Sequence, residues 1–176
     1  MSLVTAPTAQ SATGKVKEIY DEVQSMLGFL PNGLSLWGMN ERALESQWNH
    51  IKEIMSLDQE SQKLHAIIRY LMSEVNGCEY CIGFNGGMLI NMFGMTQEKL
   101  TAVSKDPTTA PLNDKNKALL LFALKSVKNP HAVNQEDIKA LKELGVSEKE
   151  MFDIVHAASV MFVVNTLFDT FKIVKD

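Results

Sequence analysis

The sequence predicts an all-α fold, and three observations support this prediction. Apolar residues recur at intervals of three and four along most of the 176 residues, which is the period of a helix with one buried face. Capping residues and glycines mark the ends of these segments. No stretch between turn signals alternates apolar and polar residues with the period of two that a half-buried strand requires.

The first part of the chain contains a polar segment, two helical segments and a tight loop. Residues 1–12 are small and polar, so we expect them to be flexible. An amphipathic helix follows and stops at Gly28, and the loop 28–32 contains Pro31, which fixes φ and removes a hydrogen-bond donor. A short turn over residues 34–37 then precedes a helix from about Glu41 to Met55.

The remaining helices are predicted from their capping residues. Asp58 caps a helix whose apolar stripe continues to Val75, and the next helix runs from Glu79 to Met92 before Gly94. A short helix starts at residue 134. The sequence Ser147-x-x-Glu150 is a capping box, which predicts the start of a long final helix.

Two pairs of similar segments predict an internal duplication. Residues 94–100 match residues 145–151, and residues 58–63 parallel residues 112–117. We therefore expect a single domain over residues 1–176, with a first helical unit at 58–103 and a second at 113–174. The second unit has Asn129-Pro-His-Ala at the place where the first has its cysteines.

Composition and charge narrow the functional classes. The formal net charge is −4 with no block of like charges, so we expect neither a nucleic-acid partner nor a membrane partner. The first residues have neither a basic region nor an apolar run, so we expect a cytoplasmic protein. The uncharged run from Ile154 to Phe168 is too short to span a bilayer and predicts a buried helix instead.

Both cysteines lie in one motif, Cys78-Glu-Tyr-Cys81. Thiols three residues apart on a helix lie on one face, close enough to form a disulfide or to share one reaction. Three other interpretations stay open: two buried core residues, half of a zinc site that needs two further ligands, and a structural disulfide. A disulfide across so short a loop stabilises little. We therefore favour a reactive dithiol, and we expect no metal and no cofactor.

The neighbours of the motif affect its reactivity in opposite directions. Asn76-Gly77 predicts a helix start at Cys78, where the N–H groups of the first turn favour a thiolate. Glu79 is adjacent and Glu74 lies one turn back, and both carboxylates disfavour a second negative charge. The sequence alone does not show which influence on the thiols is stronger.

The motif Asn-Gly-Cys78-x-Tyr-Cys81, with an apolar helix before it and Gly94-Met-Thr after it, resembles the alkylhydroperoxidase D-like branch of the carboxymuconolactone decarboxylase family. The loop 28–32 resembles the peroxidase-related members of that family. The resemblance covers about residues 14–170. It implies an all-α helical bundle, a homo-oligomer built from trimers (a trimer or a hexamer), and thiol-dependent reduction of a hydroperoxide with an outside thiol as the electron donor.

The resemblance also implies roles for single residues. Cys81 would attack the peroxide and Cys78 would resolve the product as a disulfide. The glutamate and histidine that relay protons in the family fall on Ala66 and Asn85, which cannot accept and return a proton near neutral pH. Candidate replacements are Glu74, Tyr80 and His65. Each also has an ordinary structural interpretation. Glu74 could simply lie on a solvated helix face, Tyr80 could be a packing ring, and His65 could be a core or surface residue whose hydrogen bonds are satisfied.

We consider three functional hypotheses. The first is an antioxidant oxidoreductase whose activity is weak or altered because the relay is missing. The second is a non-catalytic binding or assembly protein that kept the fold. The third, a decarboxylase acting on a lactone acid, is disfavoured because no cluster of histidines or arginines marks an acidic substrate.

The final helix predicts an oligomer. Six of the eight positions from 161 to 168 are apolar, and together they surround the helix. A single domain of this size leaves part of such a helix in water, so we expect a partner subunit to cover it. The six residues are Met161, Phe162, Val163, Val164, Leu167 and Phe168.

Overall fold

The computed structural model describes residues 2–176, and within this range every regular element is helical, which confirms the predicted fold class. The α-helices are α1 (Gly14–Leu27), α2 (Asn32–Trp37), α3 (Glu41–Met55), α4 (Gln59–Asn76), α5 (Glu79–Phe93), α6 (Gln97–Lys105), α7 (Asp114–Lys128), α8 (Gln135–Glu143) and α9 (Glu148–Thr170). Short 3-10 turns occur at Pro107–Thr109 and Pro130–Ala132.

The predicted helix starts are confirmed by their capping hydrogen bonds. The Asp58 carboxylate accepts the Ser61 N–H at 3.0 Å and caps α4. At the start of α9, Ser147 N–H donates to the Glu150 carboxylate at 2.8 Å, and Glu150 N–H donates to Ser147 Oγ at 3.2 Å. Asn134 makes the corresponding capping box at the start of α8. Each cap satisfies backbone donors that the first helical turn leaves without intrahelical acceptors.

The chain forms two compact units. The first comprises the residues up to Leu57 together with Leu167–Asp176, and the second comprises Asp58–Thr166. In the first unit, α3 packs against α1 and α2 around an apolar cluster. Its buried members are Ala12, Ile19, Tyr20, Val23, Leu34, Leu44 and Trp48.

The segment before α1 has more fixed contacts than the sequence predicted. Leu3 N–H donates to the Phe171 carbonyl at 2.9 Å, and Ser2 Oγ donates to the same oxygen at 3.0 Å. Ala12 is buried and belongs to the cluster of the first unit. The expectation of a flexible segment followed from its local composition, whereas these contacts depend on residues from the opposite end of the chain.

In the second unit, α4 is the central helix and packs against α5 and α7. Nine of the ten residues from 64 to 73 in α4 are buried, so the middle of this helix is covered on nearly every side. Asn113 caps α7 in the same way that Asp58 caps α4, by accepting the N–H three residues later. The single domain and the duplication at 58–103 and 113–174 stay predictions.

Helix α9 combines a buried side and an exposed apolar side. It is long and apolar enough to cross a membrane by length and composition, and 44% of its most apolar 18-residue window is buried inside the protein. A buried helix of a globular domain meets the same description. Val163 is 54% exposed and Phe162 is 42% exposed, so part of the predicted apolar face does lie at the surface, and Phe152, about three turns earlier, is also exposed.

Candidate active site

The junction between α4 and α5 positions both thiols. Helix α4 ends at Asn76, and Gly77 adopts the left-handed conformation with φ 73°, which costs a glycine little. Cys78 is then the N-cap of α5, and Cys81 lies in the first turn of that helix. The chain therefore reverses direction within two residues and brings the end of one helix against the start of the next.

The two sulfur atoms are close together and buried. Cys78 Sγ lies 2.8 Å from Cys81 Sγ. The structure contains both residues as thiols, and a disulfide would require a separation of about 2.05 Å. Cys78 is 0% exposed and Cys81 is 3% exposed. A small movement of the side chains would join the two sulfurs, so the site has the geometry of a reduced dithiol.

Both positions of the missing relay are buried, one on α5 and one on α4. Asn85 is buried, and its Nδ2 donates to the Cys81 carbonyl at 2.9 Å. Ala66 is completely buried on the facing helix α4. Asn85 therefore supports the backbone of the first turn of α5, and a methyl group stands where the resemblance places a carboxylate.

Glu74 is held by a tyrosine on the preceding turn of α4. The Tyr70 hydroxyl donates to Glu74 Oε1 at 2.8 Å. Burial, together with the hydrogen bond and negative charge of Glu74, raises the pKa of Tyr70 to about 12. The phenol therefore stays protonated at neutral pH and keeps the Glu74 carboxylate oriented at the end of α4.

The other two candidate residues lie on the same helix pair. The Tyr80 ring stacks on Phe84, with centroids 6.1 Å apart and planes inclined by 12°, which is a packing arrangement. His65 is buried on α4 immediately before Ala66. Neighbouring residues of a helix leave its axis about 100° apart, so His65 does not point in the direction of the Ala66 side chain.

A buried amide network joins α9 to the last turn of α4. Asn165 is buried, and its Oδ1 accepts from Asn76 Nδ2 at 2.8 Å. Asn165 Nδ2 donates to Ser73 Oγ at 3.4 Å, and Ser73 Oγ donates to the carbonyl of Arg69 at 2.6 Å. The network fixes the turn of helix that leads directly into Cys78. The sequence shows Asn165 as a lone amide in an apolar run but does not show its partners.

Arg69 is a second feature that the sequence interpretation missed. One of its terminal nitrogens, Nη2, lies 3.4 Å from Met88 Sδ, and its Nε is buried with no hydrogen-bond acceptor among residues 2–176. Burial lowers the pKa of Arg69 to about 10, so the side chain is still a cation at neutral pH. The signal in the sequence is a lone charge between Leu64 and Ser73, within the most buried stretch of α4.

The described part of the chain, residues 2–176, contains no group of three or more His, Cys, Asp and Glu side chains placed to hold a metal ion. Cys78 and Cys81 can exchange two electrons with an acceptor by forming a disulfide.

Comparison with known proteins identifies the fold. No protein-family model and no curated protein matches the chain. Solved structures do match over nearly the whole length. A peroxidase-related protein from Silicibacter sp. TM1040 superimposes with a TM-score of 0.81 at 19% identity, covering 99% of this chain and 92% of that one. The alkylhydroperoxidase AhpD core protein from Ralstonia eutropha JMP134, also peroxidase-related, gives a TM-score of 0.82 at 23% identity with the same coverage.

A third similar structure is an enzyme with a bound aromatic compound. A variant of the debrominase Bmp8, in complex with 2,3,4-tribromopyrrole, superimposes with a TM-score of 0.73 at 20% identity. The match covers 100% of this chain and 94% of that one. Together these matches show that the chain has the alkylhydroperoxidase D-like fold, as the resemblance implied.

Proposed function

We propose that this chain, with its alkylhydroperoxidase D-like fold, is a thiol-dependent reductase of hydroperoxides. The observation that carries the proposal is the pair of buried thiols 2.8 Å apart at the start of α5. Peroxidase-related proteins of the same fold support it.

The proposed reaction balances as a two-electron reduction. The Cys81 thiolate attacks the terminal oxygen of the hydroperoxide, the O–O bond breaks, and the alkoxide takes up a proton and leaves as an alcohol. Cys81 becomes a sulfenic acid. The Cys78 sulfur then attacks the Cys81 sulfur, water leaves, and a disulfide forms. An outside dithiol restores both thiols by exchange and becomes a disulfide itself.

Two features of the junction support attack by Cys81. Cys81 retains slight exposure, whereas Cys78 has none. The N–H groups in the first turn of α5 also favour a thiolate at this place, because the start of a helix carries partial positive charge.

We propose Glu74 as the group that transfers protons in place of the missing relay. It lies one turn before Cys78, and the Tyr70 hydroxyl fixes one of its carboxylate oxygens at 2.8 Å. Asn85 cannot serve, because an amide has no accessible protonation near neutral pH and its nitrogen is already bonded to the Cys81 carbonyl. Turnover is therefore expected to be slower than with a buried glutamate and histidine.

The remaining parts of the proposal concern the setting of the reaction. We propose that a small dithiol or a thiol protein donates the electrons in a reducing, cytoplasmic compartment. The proposed reaction requires no cofactor and involves neither nucleic acid nor membrane. We also propose that the chain acts as a homo-oligomer, a trimer or a hexamer, assembled through the apolar surface of α9.

Serine variants test the assignment of roles. Cys81→Ser should abolish hydroperoxide consumption with dithiothreitol as the donor. Cys78→Ser should leave a sulfenic acid on Cys81 that a dimedone probe traps. Glu136→Gln, which removes the charge of an exposed residue on α8, is the control and should keep the wild-type rate. A trapped sulfenic acid on Cys78 in the Cys81→Ser variant would reverse the two roles.

The fold neighbour that is a debrominase favours a second acceptor for the same dithiol. In that reaction the two thiols reduce a carbon–bromine bond, the carbon gains a proton, bromide leaves, and the disulfide forms. Bromide release from a bromopyrrole, measured beside alcohol release from cumene hydroperoxide, distinguishes the acceptors. Oxidation of the thiols by neither compound would favour the non-catalytic binding hypothesis instead.

A further inference from the structure

Arg69 is a partly buried cation, with its Nε fully buried, and the protein provides no counter-charge for it within the described residues. The contact that the structure records for its guanidinium is Met88 Sδ, and among residues 2–176 no carboxylate pairs with it. Its Nε is buried and makes no hydrogen bond within the same range. Burying a charge without a partner costs free energy, so an apolar side chain would suit this part of the core better. Residues that break the usual rules of core packing, as an unpaired charge does, are found most often at functional sites.

The position of Arg69 links it to the dithiol along both helices. Met88, which Nη2 of Arg69 contacts, lies seven residues after Cys81, which is two turns further along the same face of α5. Two turns correspond to about 10 Å. On α4, Arg69 lies one turn before Ser73, whose carbonyl accepts the N–H of Cys78 at 3.0 Å. The guanidinium and the reactive sulfur thus lie on one helix pair, about two turns apart.

We infer that Arg69 binds an anionic group of the substrate whose other end is reduced at Cys81, so that the natural acceptor is an acid. This inference rests on the proposed reductase function and specifies its substrate class. A guanidinium is planar and can donate two parallel hydrogen bonds, a geometry that matches a carboxylate. The rise of about 10 Å along α5 from Cys81 to Met88, which contacts the guanidinium, suits a substrate whose carboxylate and peroxide are separated by an aromatic ring or a short chain.

The first test measures binding without any redox reaction. The probes are 4-isopropylbenzoate, which carries the acid but no peroxide, and the neutral 4-isopropylbenzyl alcohol, both titrated calorimetrically into the reduced protein. Arg69→Gln should weaken binding of the benzoate at least tenfold and leave binding of the alcohol unchanged. Arg69→Lys should bind the benzoate with intermediate affinity. Arg42→Gln, which removes an exposed charge on α3, is the matched control and should behave as wild type.

The second test compares two hydroperoxides in a single turnover. Cumene hydroperoxide and its 4-carboxylate are mixed with reduced protein, and thiol loss is followed. Arg69→Gln should slow the reaction of the carboxylate at least tenfold and leave that of cumene hydroperoxide unchanged. Equal effects on both hydroperoxides, together with equal binding of the two titration probes, would overturn the inference while the reductase function stands.

The two proposals can fail separately. If neither hydroperoxide oxidises the wild-type thiols but benzoate binding still depends on Arg69, the reductase function fails and the anion site stands. If Arg69→Gln dissociates the assembly in sedimentation, a carboxylate of a second copy is the counter-charge, and the inference is overturned. Arg69→Met gives a further readout, since it should raise the melting temperature of the ligand-free protein, whereas a purely structural arginine would lower it.

Discussion

The junction between α4 and α5 and the junction between α7 and α8 begin alike and end differently. Each first helix has an N-cap that accepts the N–H three residues later, Asp58 in α4 and Asn113 in α7. Each carries a buried serine whose hydroxyl donates to the carbonyl four residues back, Ser73 at 2.6 Å and Ser126 at 2.8 Å. The helices are therefore built from the same local interactions.

The segments that follow these helices differ in conformation and in burial. After α4, Gly77 reverses the chain at once, and Cys78 is completely buried. After α7, residues 129–132 form an exposed 3-10 turn whose sequence contains no thiol. A glycine in the left-handed conformation permits the tighter reversal, which is what places the thiols inside the protein.

The surroundings of the two junctions differ in polarity as well. The first is supported by the amide network of Asn165 and encloses polar groups. Beside the second lies an open apolar groove of about 560 Å³. It is lined by Phe122, Ser126, Val127, Pro130, Val133, Met151, Phe152, Val155, Ser159 and Phe162. Under the proposed function, the first junction would carry out the chemistry and the second would contact another subunit.

The largest effect is expected from restoring the proton relay at the first junction. The double variant Ala66→Glu with Asn85→His should raise peroxide turnover by about 10²-fold, because positioned acid–base groups contribute at least that much. The single variant Asn85→His measures the histidine alone. His131→Asn removes the exposed histidine of the second junction and should leave turnover unchanged. An unchanged rate in a folded double variant would mean that Glu74 or another group already transfers the protons.

The next effect concerns assembly at the second junction. Val163→Asp or Phe152→Asp should dissociate the oligomer, because a carboxylate buried in an apolar interface costs several kcal/mol, roughly 3 to 5. Phe152 is largely exposed, so its replacement should leave the folded subunit intact. Sedimentation at micromolar concentration measures the result, with Gln135→Asp on α8 as a control of equal charge. A wild-type protein that sediments as a monomer of 19.6 kDa would rule out this part of the account.

A smaller effect is expected on stability, when one asparagine from each junction is replaced by alanine. Asn165→Ala deprives Asn76 and Ser73 of their buried partner and should lower the free energy of unfolding by about 1–3 kcal/mol. Asn129→Ala removes an exposed side chain and should change the free energy of unfolding by less than about 0.5 kcal/mol. Urea unfolding of both variants provides the comparison. Equal losses in the two variants would show that the buried amide network stabilises the protein no more than an exposed asparagine does.

The sequence predicted the features that depend on neighbouring residues. The bounds of α3, the caps at Asp58 and Ser147, and the closeness of Cys78 and Cys81 all follow from interactions that span three or four residues. Such interactions leave a pattern in the order of the residues themselves, because both partners lie within one turn of helix. The fold class is predictable for the same reason.

The features that the sequence did not predict connect distant parts of the chain. Leu3 bonds to Phe171, and Asn76 bonds to a residue 89 positions away. Helical periodicity contains no information about such pairs. The lone charge of Arg69 is visible in the sequence, but its missing counter-charge within residues 2–176 becomes evident only when the packing of α4 against α5 is known.

The most direct test of the central claim is a single-turnover oxidation of the dithiol. Reduced protein is mixed with one equivalent of cumene hydroperoxide, and intact mass and alkylation of Cys78 and Cys81 are followed against glutathione under the same conditions. We predict that the protein loses two hydrogens as an internal disulfide, with both thiols lost together and faster than glutathione. Two thiols that remain open to alkylation after glutathione has been oxidised would contradict it.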